Sequence, residues 1–149
     1  MKEKILVSAC LMGHPTRYDG CSVEYKNILT LSEKYDIIEV CPEVMGGLPT
    51  PRTPSERVGE RVMMRDGRDV TREFLEGAKK AYELCRLHNI NKAVLKERSP
   101  SCGFGVIYDG SFSGRLTAGM GVTAEYLSLH GISVYGESRI SELIKEKEE

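Results

Sequence analysis

Short apolar runs alternate along this chain with longer stretches of helical periodicity. Ile5 to Ser8 is an apolar run bounded by the small residues Ala9 and Cys10, which predicts a buried strand. Tyr25 to Lys34 is a helix candidate, and the β-branched segment Asp36 to Val40 predicts a second strand, cut off by Cys41-Pro42. Met45 to Pro54 holds three prolines and two glycines in ten residues, which excludes regular helix or a central strand. Glu60 to Arg65 reads as a short edge strand leading into the turn Asp66-Gly67-Arg68.

The strongest helical pattern runs from Val70 to His88, with Asp69 as its N-cap. Phe74, Ala78, Ala81, Tyr82 and Cys85 form its apolar face at close to 3.6-residue spacing. Lys92 to Lys96 predicts a third strand and Glu97 to Gly103 a loop. Val122 to His130 reads as a helix stopped by Gly131, and Ile132 to Tyr135 as a fourth strand. Ser138 to Lys147 reads as an amphipathic terminal helix with Ser138 as its cap. Strands alternating with helices predict an α/β fold, with one domain over residues 1–149. The expected architecture is a mostly parallel sheet of about four strands with helices on both faces.

Composition narrows the function classes. The chain has 149 residues, 40% hydrophobic and 29% charged, which suits one globular core. A formal net charge of −1 disfavours a broad nucleic-acid-binding surface. No apolar run approaches the roughly 20 residues that a membrane span needs. The apolar stretch after Met1 is too short for a secretory core, so a cytoplasmic protein is expected. Five cysteines at long spacings, in a chain read as cytoplasmic, argue for buried, catalytic or metal-bound thiols rather than a disulfide framework.

Three of those cysteines occupy equivalent places. Cys10 stands two residues beyond the first strand, Cys41 directly after the second, and Cys102 in the loop leaving the third. In a parallel sheet with right-handed crossovers all strand carboxyl ends share one edge, where ligands bind. Thiols 31 and 61 residues apart are thereby brought together. Cys85 lies on a helix stripe and belongs to the core. Cys21, in Tyr18-Asp19-Gly20-Cys21, suits either the site or an exposed turn. Three thiolates select zinc, copper(I) or an iron–sulfur cluster. Zinc would take His14 as a fourth ligand, but the tight C-x2-C spacing of structural zinc sites is absent. A [4Fe-4S] cluster on three cysteines leaves one iron open. The residues alone leave both choices standing.

Further segments carry a resemblance. Val7-Ser8-Ala9-Cys10-Leu11-Met12-Gly13, Arg17-Tyr18-Asp19-Gly20, Cys41-Pro42-Glu43 and Gly46-Gly47-Leu48-Pro49-Thr50-Pro51-Arg52 occur in order. Asp69-Val70-Thr71, Lys96 through Gly103, Ile107-Tyr108-Asp109-Gly110 and Gly121-Val122-Thr123 follow. Together they resemble the bacterial thiouracil desulfidase family, from residue 4 to about residue 137. Thr16 stands where many members have cysteine, and Cys21 is not a usual family cysteine.

The resemblance implies that Cys10, Cys41 and Cys102 hold a [4Fe-4S] cluster whose open iron takes the sulfur of a thiopyrimidine. It also implies that Glu43 and Ser101 assist, Glu43 as base and proton relay, Ser101 by orienting water or donating to the substrate. Arg52 is expected to bind a substrate oxygen or offset cluster charge. Asp19 and Asp109, each before a glycine, read as turn residues. The expected activity is non-redox desulfuration of free thiouracil to uracil and hydrogen sulfide. Desulfuration of thiolated tRNA bases, or non-catalytic binding of a cluster, zinc or a persulfide, are the alternatives.

Overall fold

The computed structural model describes residues 2–12 and 27–148. Four parallel strands form its main sheet: β1 (Glu3–Ser8), β2 (Tyr35–Val40), β5 (Lys92–Leu95) and β8 (Ser133–Gly136), in the order β2-β1-β5-β8. Side chains of β1 alternate between its two faces, as the pleat requires. Ile5 and Val7 pack against α1 (Asn27–Lys34) and α5 (Ile140–Glu148), with Ile28, Leu31, Ile140 and Leu143 buried there. Leu6 faces α3 (Thr71–His88) and α4 (Val122–Leu129), among Ala81, Cys85, Ala124 and Leu127. The α/β class and the helices on both faces are as expected.

Two antiparallel hairpins stand outside the main sheet. One pairs β3 (Ser55–Val58) with β4 (Arg61–Met64), and the other pairs β6 (Phe104–Tyr108) with β7 (Leu116–Met120). Only the second strand of the first hairpin was expected. β7 carries no fully buried residue and β6 only Ile107, so neither shows the alternation that marks a half-buried strand. Under the first hairpin a separate core of Val62, Met64, Val70, Phe74 and Ala78 fixes it to α3.

Three local expectations need correction. Pro42 opens a one-turn helix, α2 (Pro42–Met45), because proline suits a first helical position whose N–H is unused. α3 begins at Thr71 with Val70, not Asp69, as its N-cap residue; Asp69 lies one residue earlier and accepts the Thr71 N–H at 2.9 Å, and the first helical bond runs from the Phe74 N–H to the Val70 carbonyl. Ser138 does not cap the terminal helix. It lies in a 3-10 turn, Glu137–Arg139, and its hydroxyl donates to Glu97 Oε2 at 2.6 Å, so α5 starts at Ile140.

Register places the functional edge. Ser8 is level with Val40, and the Lys96 N–H donates to the Ser8 hydroxyl at 3.0 Å. The carboxyl ends of β1, β2 and β5 therefore stop together, and the segments bearing Cys10, Cys41 and Cys102 leave from one line.

Candidate functional site

The three strand-end cysteines line one cavity of about 440 Å³. Cys10 is buried in the 3-10 turn Ala9–Leu11, Cys41 is the half-buried N-cap residue of α2, and Cys102 is buried in the loop before β6. None of the three is in a disulfide. Burial pushes the Cys102 thiol well above its ordinary value, and the Ser8 hydroxyl opposes this by hydrogen bonding. Cys10, Cys41 and Glu43 raise it further through charge, which places all four groups in electrostatic reach of one another. Such a thiol ionises when a cation replaces its proton. Cys85 is buried in the core on α3, away from the cavity, its pKa raised by burial to about 11.

Close backbone approaches seat these cysteines. Gly46, just after α2, lies where a Cβ would overlap the Glu73 carbonyl on α3, and a Cβ on Gly77 would overlap the Pro42 carbonyl. The turn carrying Cys41 and Glu43 therefore rests directly on α3. Gly121 is packed as tightly against the backbone of Ser101 and Cys102. The first N–H groups of α4 donate into the Cys102 loop, Val122 to Pro100 at 2.8 Å and Thr123 to Ser101 at 2.8 Å. Those donors have no partner within their own helix.

Glu43 and Arg52 form a pair in the cavity wall. Arg52 Nε donates to Glu43 Oε1 at 3.1 Å, and Nη2 lies 3.1 Å from the same oxygen. Their side chains are 17% and 3% exposed, respectively, so the ion pair is largely removed from water. Burial raises the Glu43 pKa above its ordinary value, while the Arg52 guanidinium pulls it down by charge and hydrogen bonding. Arg52 Nη1 is committed to the Pro49 carbonyl at 2.9 Å and the Thr50 hydroxyl at 3.0 Å.

Ser101 is placed differently from its neighbours. Its hydroxyl shares a hydrogen bond of 2.9 Å with that of Thr123 in a buried pair, and it is not among the residues lining the cavity. Ser99, two residues earlier, does line it. The Ser99 hydroxyl accepts the N–H groups of Ser101 at 3.1 Å and Cys102 at 3.0 Å. Two serines flanking one proline offer no periodicity to tell them apart, so sequence reasoning missed Ser99.

The two hairpins supply the rest of the wall through Ser55, Glu56, Arg65, Tyr108 and Phe112. Glu56, almost wholly buried, accepts the N–H of Gly110 at 2.9 Å and of Phe112 at 3.1 Å, tying one hairpin to the other. The Arg65 guanidinium stands 5.5 Å from the Phe112 ring centroid. Arg98 also lines the cavity, with a left-handed φ of 69°. Asp109 is a turn residue, accepting the Ser111 N–H at 2.9 Å. His14, Thr16, Asp19 and Cys21 lie outside the described residues.

The donor set discriminates among metals. Among the described residues no three His, Cys, Asp or Glu side chains are arranged to hold a single metal ion. Two buried thiols and one half-buried thiol around one cavity fit a group larger than an ion, with soft-metal corners for each sulfur.

Comparison with known proteins bears on the family and the fold. A family model described as 2-thiouracil desulfurase matches residues 5–139. A Bacillus subtilis (strain 168) relative, the uncharacterized protein YbbK, is 37% identical over 150 residues, covering 94% of this chain and 99% of that protein. A solved structure described as the [4Fe-4S]-dependent thiouracil desulfidase TudS superposes with a TM-score of 0.92 at 50% identity, covering 97% of each chain.

Proposed function

This chain belongs to the 2-thiouracil desulfurase family, and we propose that it is a [4Fe-4S]-dependent desulfidase that converts thiouracil-type thiopyrimidines and water to the oxo-pyrimidine and hydrogen sulfide. The observation that carries the reading is the convergence of Cys10, Cys41 and Cys102 on one cavity with Glu43. Those three thiolates would hold the cluster. When bound, the cluster supplies an iron without a protein ligand, a Lewis acid for the soft sulfur of a thiocarbonyl.

The chain's own residues handle the proton and the ring. Glu43 faces the cavity with one oxygen bonded to Arg52, which leaves its second oxygen for a water molecule. Its carboxylate takes the proton as that water adds to the thiocarbonyl carbon, and returns it to the departing sulfur. No net electron transfer is needed, since water in and hydrogen sulfide out balance the reaction. Arg52, bonded to Glu43, Pro49 and Thr50, acts by holding Glu43 in position and by opposing the rise in its pKa that burial causes. Ser99 and Ser101 set the Cys102 loop, and of the two Ser99 reaches the substrate space.

A 440 Å³ cavity suits a free pyrimidine ring, and a net charge of −1 gives no attraction for tRNA, so the free base is the preferred substrate. We read the whole 149-residue chain as one domain working in the cytoplasm, where thiols stay reduced.

Anaerobic purification with iron and acid-labile sulfide analysis, followed by sulfide release from 2-thiouracil, tests the reading. Stoichiometric iron and sulfide with turnover support it. Stoichiometric zinc without sulfide, or a loaded protein inert toward thiouracil, sinks it.

A further inference from the structure

We propose that Ser55 is a substrate-binding residue of this cavity, its hydroxyl pairing with the polar ring edge that the reaction leaves unchanged. The inference rests on the desulfidase reading above.

Among the described residues, the Ser55 hydroxyl oxygen is the one buried side-chain nitrogen or oxygen atom without a hydrogen-bond partner. Burying a hydroxyl unpaired is destabilising, and each such group in a native fold calls for an explanation, a bound ligand among them. Ser55 lines the cavity that holds the three thiols. It opens β3, immediately after the loop that delivers Arg52.

Several nearby polar groups are engaged elsewhere. The Pro54 carbonyl accepts from the Arg65 N–H at 2.9 Å, and proline has no N–H to give. Glu56 Oε1 already receives Gly110 and Phe112. Arg52 points its guanidinium to Glu43, Pro49 and Thr50. The oxygen is buried in the wall as it stands, and a change of χ1, the one torsion that positions it, is required to bring it to the ligand.

The chemistry of a thiopyrimidine supplies the missing partner. Away from its thiocarbonyl the ring carries N–H and C=O groups in a flat amide edge, unaltered by sulfur removal. A serine hydroxyl donates to a carbonyl or accepts from an N–H, so it meets this edge in either register. Because the edge is the same in substrate and product, the contact stabilises ground state and transition state alike. Such a contact appears in KM and product affinity, not in kcat.

The test compares wild type, Ser55→Ala and Ser55→Thr as cluster-loaded proteins. For Ser55→Ala the KM for 2-thiouracil rises about tenfold and kcat stays within about twofold, as loss of a uniform-binding hydrogen bond requires. The inhibition constant of uracil weakens by a similar factor, iron per chain is unchanged, and Ser55→Thr recovers most of both affinities. The thermal midpoint of metal-free Ser55→Ala equals or exceeds wild type, because the substitution deletes an unpaired polar group. A Ser55→Ala protein with unchanged KM and unchanged uracil inhibition overturns the assignment. So does a lowered midpoint with both affinities intact, which would make the hydroxyl structural. Both results leave the desulfidase reading standing. Wild type that is loaded with cluster yet releases no sulfide from 2-thiouracil overturns that reading, and the Ser55 role with it.

Discussion

Arg52 places two guanidinium nitrogens, each at 3.1 Å, on the same carboxylate oxygen of Glu43. A planar fork used this way fixes the carboxylate's direction, which a lysine's single ammonium does not. Glu43→Gln should lower kcat for sulfide release by roughly 100-fold or more, the scale of lost general acid–base catalysis. Arg52→Lys should retain iron and lose about tenfold in kcat, because an ammonium keeps the charge without the fork. Steady-state sulfide release with iron quantified per chain checks both. Full activity in Glu43→Gln would remove it as the base.

Gly77 is a second point of leverage, far from any reacting atom in sequence terms. A methyl group there meets the Pro42 carbonyl, between Cys41 and Glu43. Gly77→Ala should destabilise the fold by about 1–3 kcal/mol, as overpacking does, and lower iron per chain. Lys79→Ala, at an exposed position of the same helix, should do neither. Thermal denaturation and iron assay of the pair isolate local crowding, because alanine raises helix propensity at both positions.

Ser99 and Ser101 should differ in kind. Ser101→Ala strands the Thr123 hydroxyl in a buried pocket and should cost about 1–3 kcal/mol of stability with a smaller effect on kcat per cluster. Ser99→Ala frees the Ser101 and Cys102 N–H groups beside the substrate and should depress kcat and iron retention together. If Ser101→Ala abolished turnover at unchanged stability, the hydroxyl would belong to the chemistry after all.

Iron removal has a local signature. Changing Cys10, Cys41 or Cys102 to alanine should abolish iron binding and sulfide release. Cys85→Ala should keep both and cost about 1 kcal/mol for a small core void. Stripping iron with a chelator should raise amide exchange over residues 9–12, 41–46 and 99–103 and leave α3 protected. Uniform loosening would mean that the cluster supports the whole fold.

Glu3 gives a pH-dependent stability increment. Hydrogen bonding to Lys147 lowers its pKa below the ordinary 4.5, with further help from Lys92. A depressed carboxylate pKa adds stability above the unfolded value, and the increment is lost as pH falls through the folded one. Glu3→Gln should therefore be less stable than wild type at neutral pH, by under about 1 kcal/mol, and indistinguishable from it in acid below the folded pKa. Urea denaturation at several pH values checks the sign.

Much of the fold was legible because its signals are local. The apolar run of Ile5, Leu6 and Val7, the stripe of Phe74, Ala78, Ala81 and Cys85, and Gly131 with φ of 88° each announce their element within a few residues. The β6–β7 hairpin was not legible, because its pairing is satisfied mainly by backbone bonds and little apolar burial marks it. From its loop Arg52 reads as a ligand for a substrate oxygen or a counter-charge to the cluster; its pairing with Glu43 is decided by how the Pro49–Thr50–Pro51 loop folds back.

Sequence by itself determined the strand–helix alternation and put three thiols at strand ends, because periodicity and turn-forming residues act over short range. Right-handed crossover chemistry then made their convergence a matter of topology. Tertiary structure alone decided which hydroxyl faces the cavity, which carboxylate oxygen Arg52 grips, and that Ser55 is left unpaired. Those outcomes depend on which polar groups from distant segments arrive within about 3 Å of one another, a condition that only the packed chain meets.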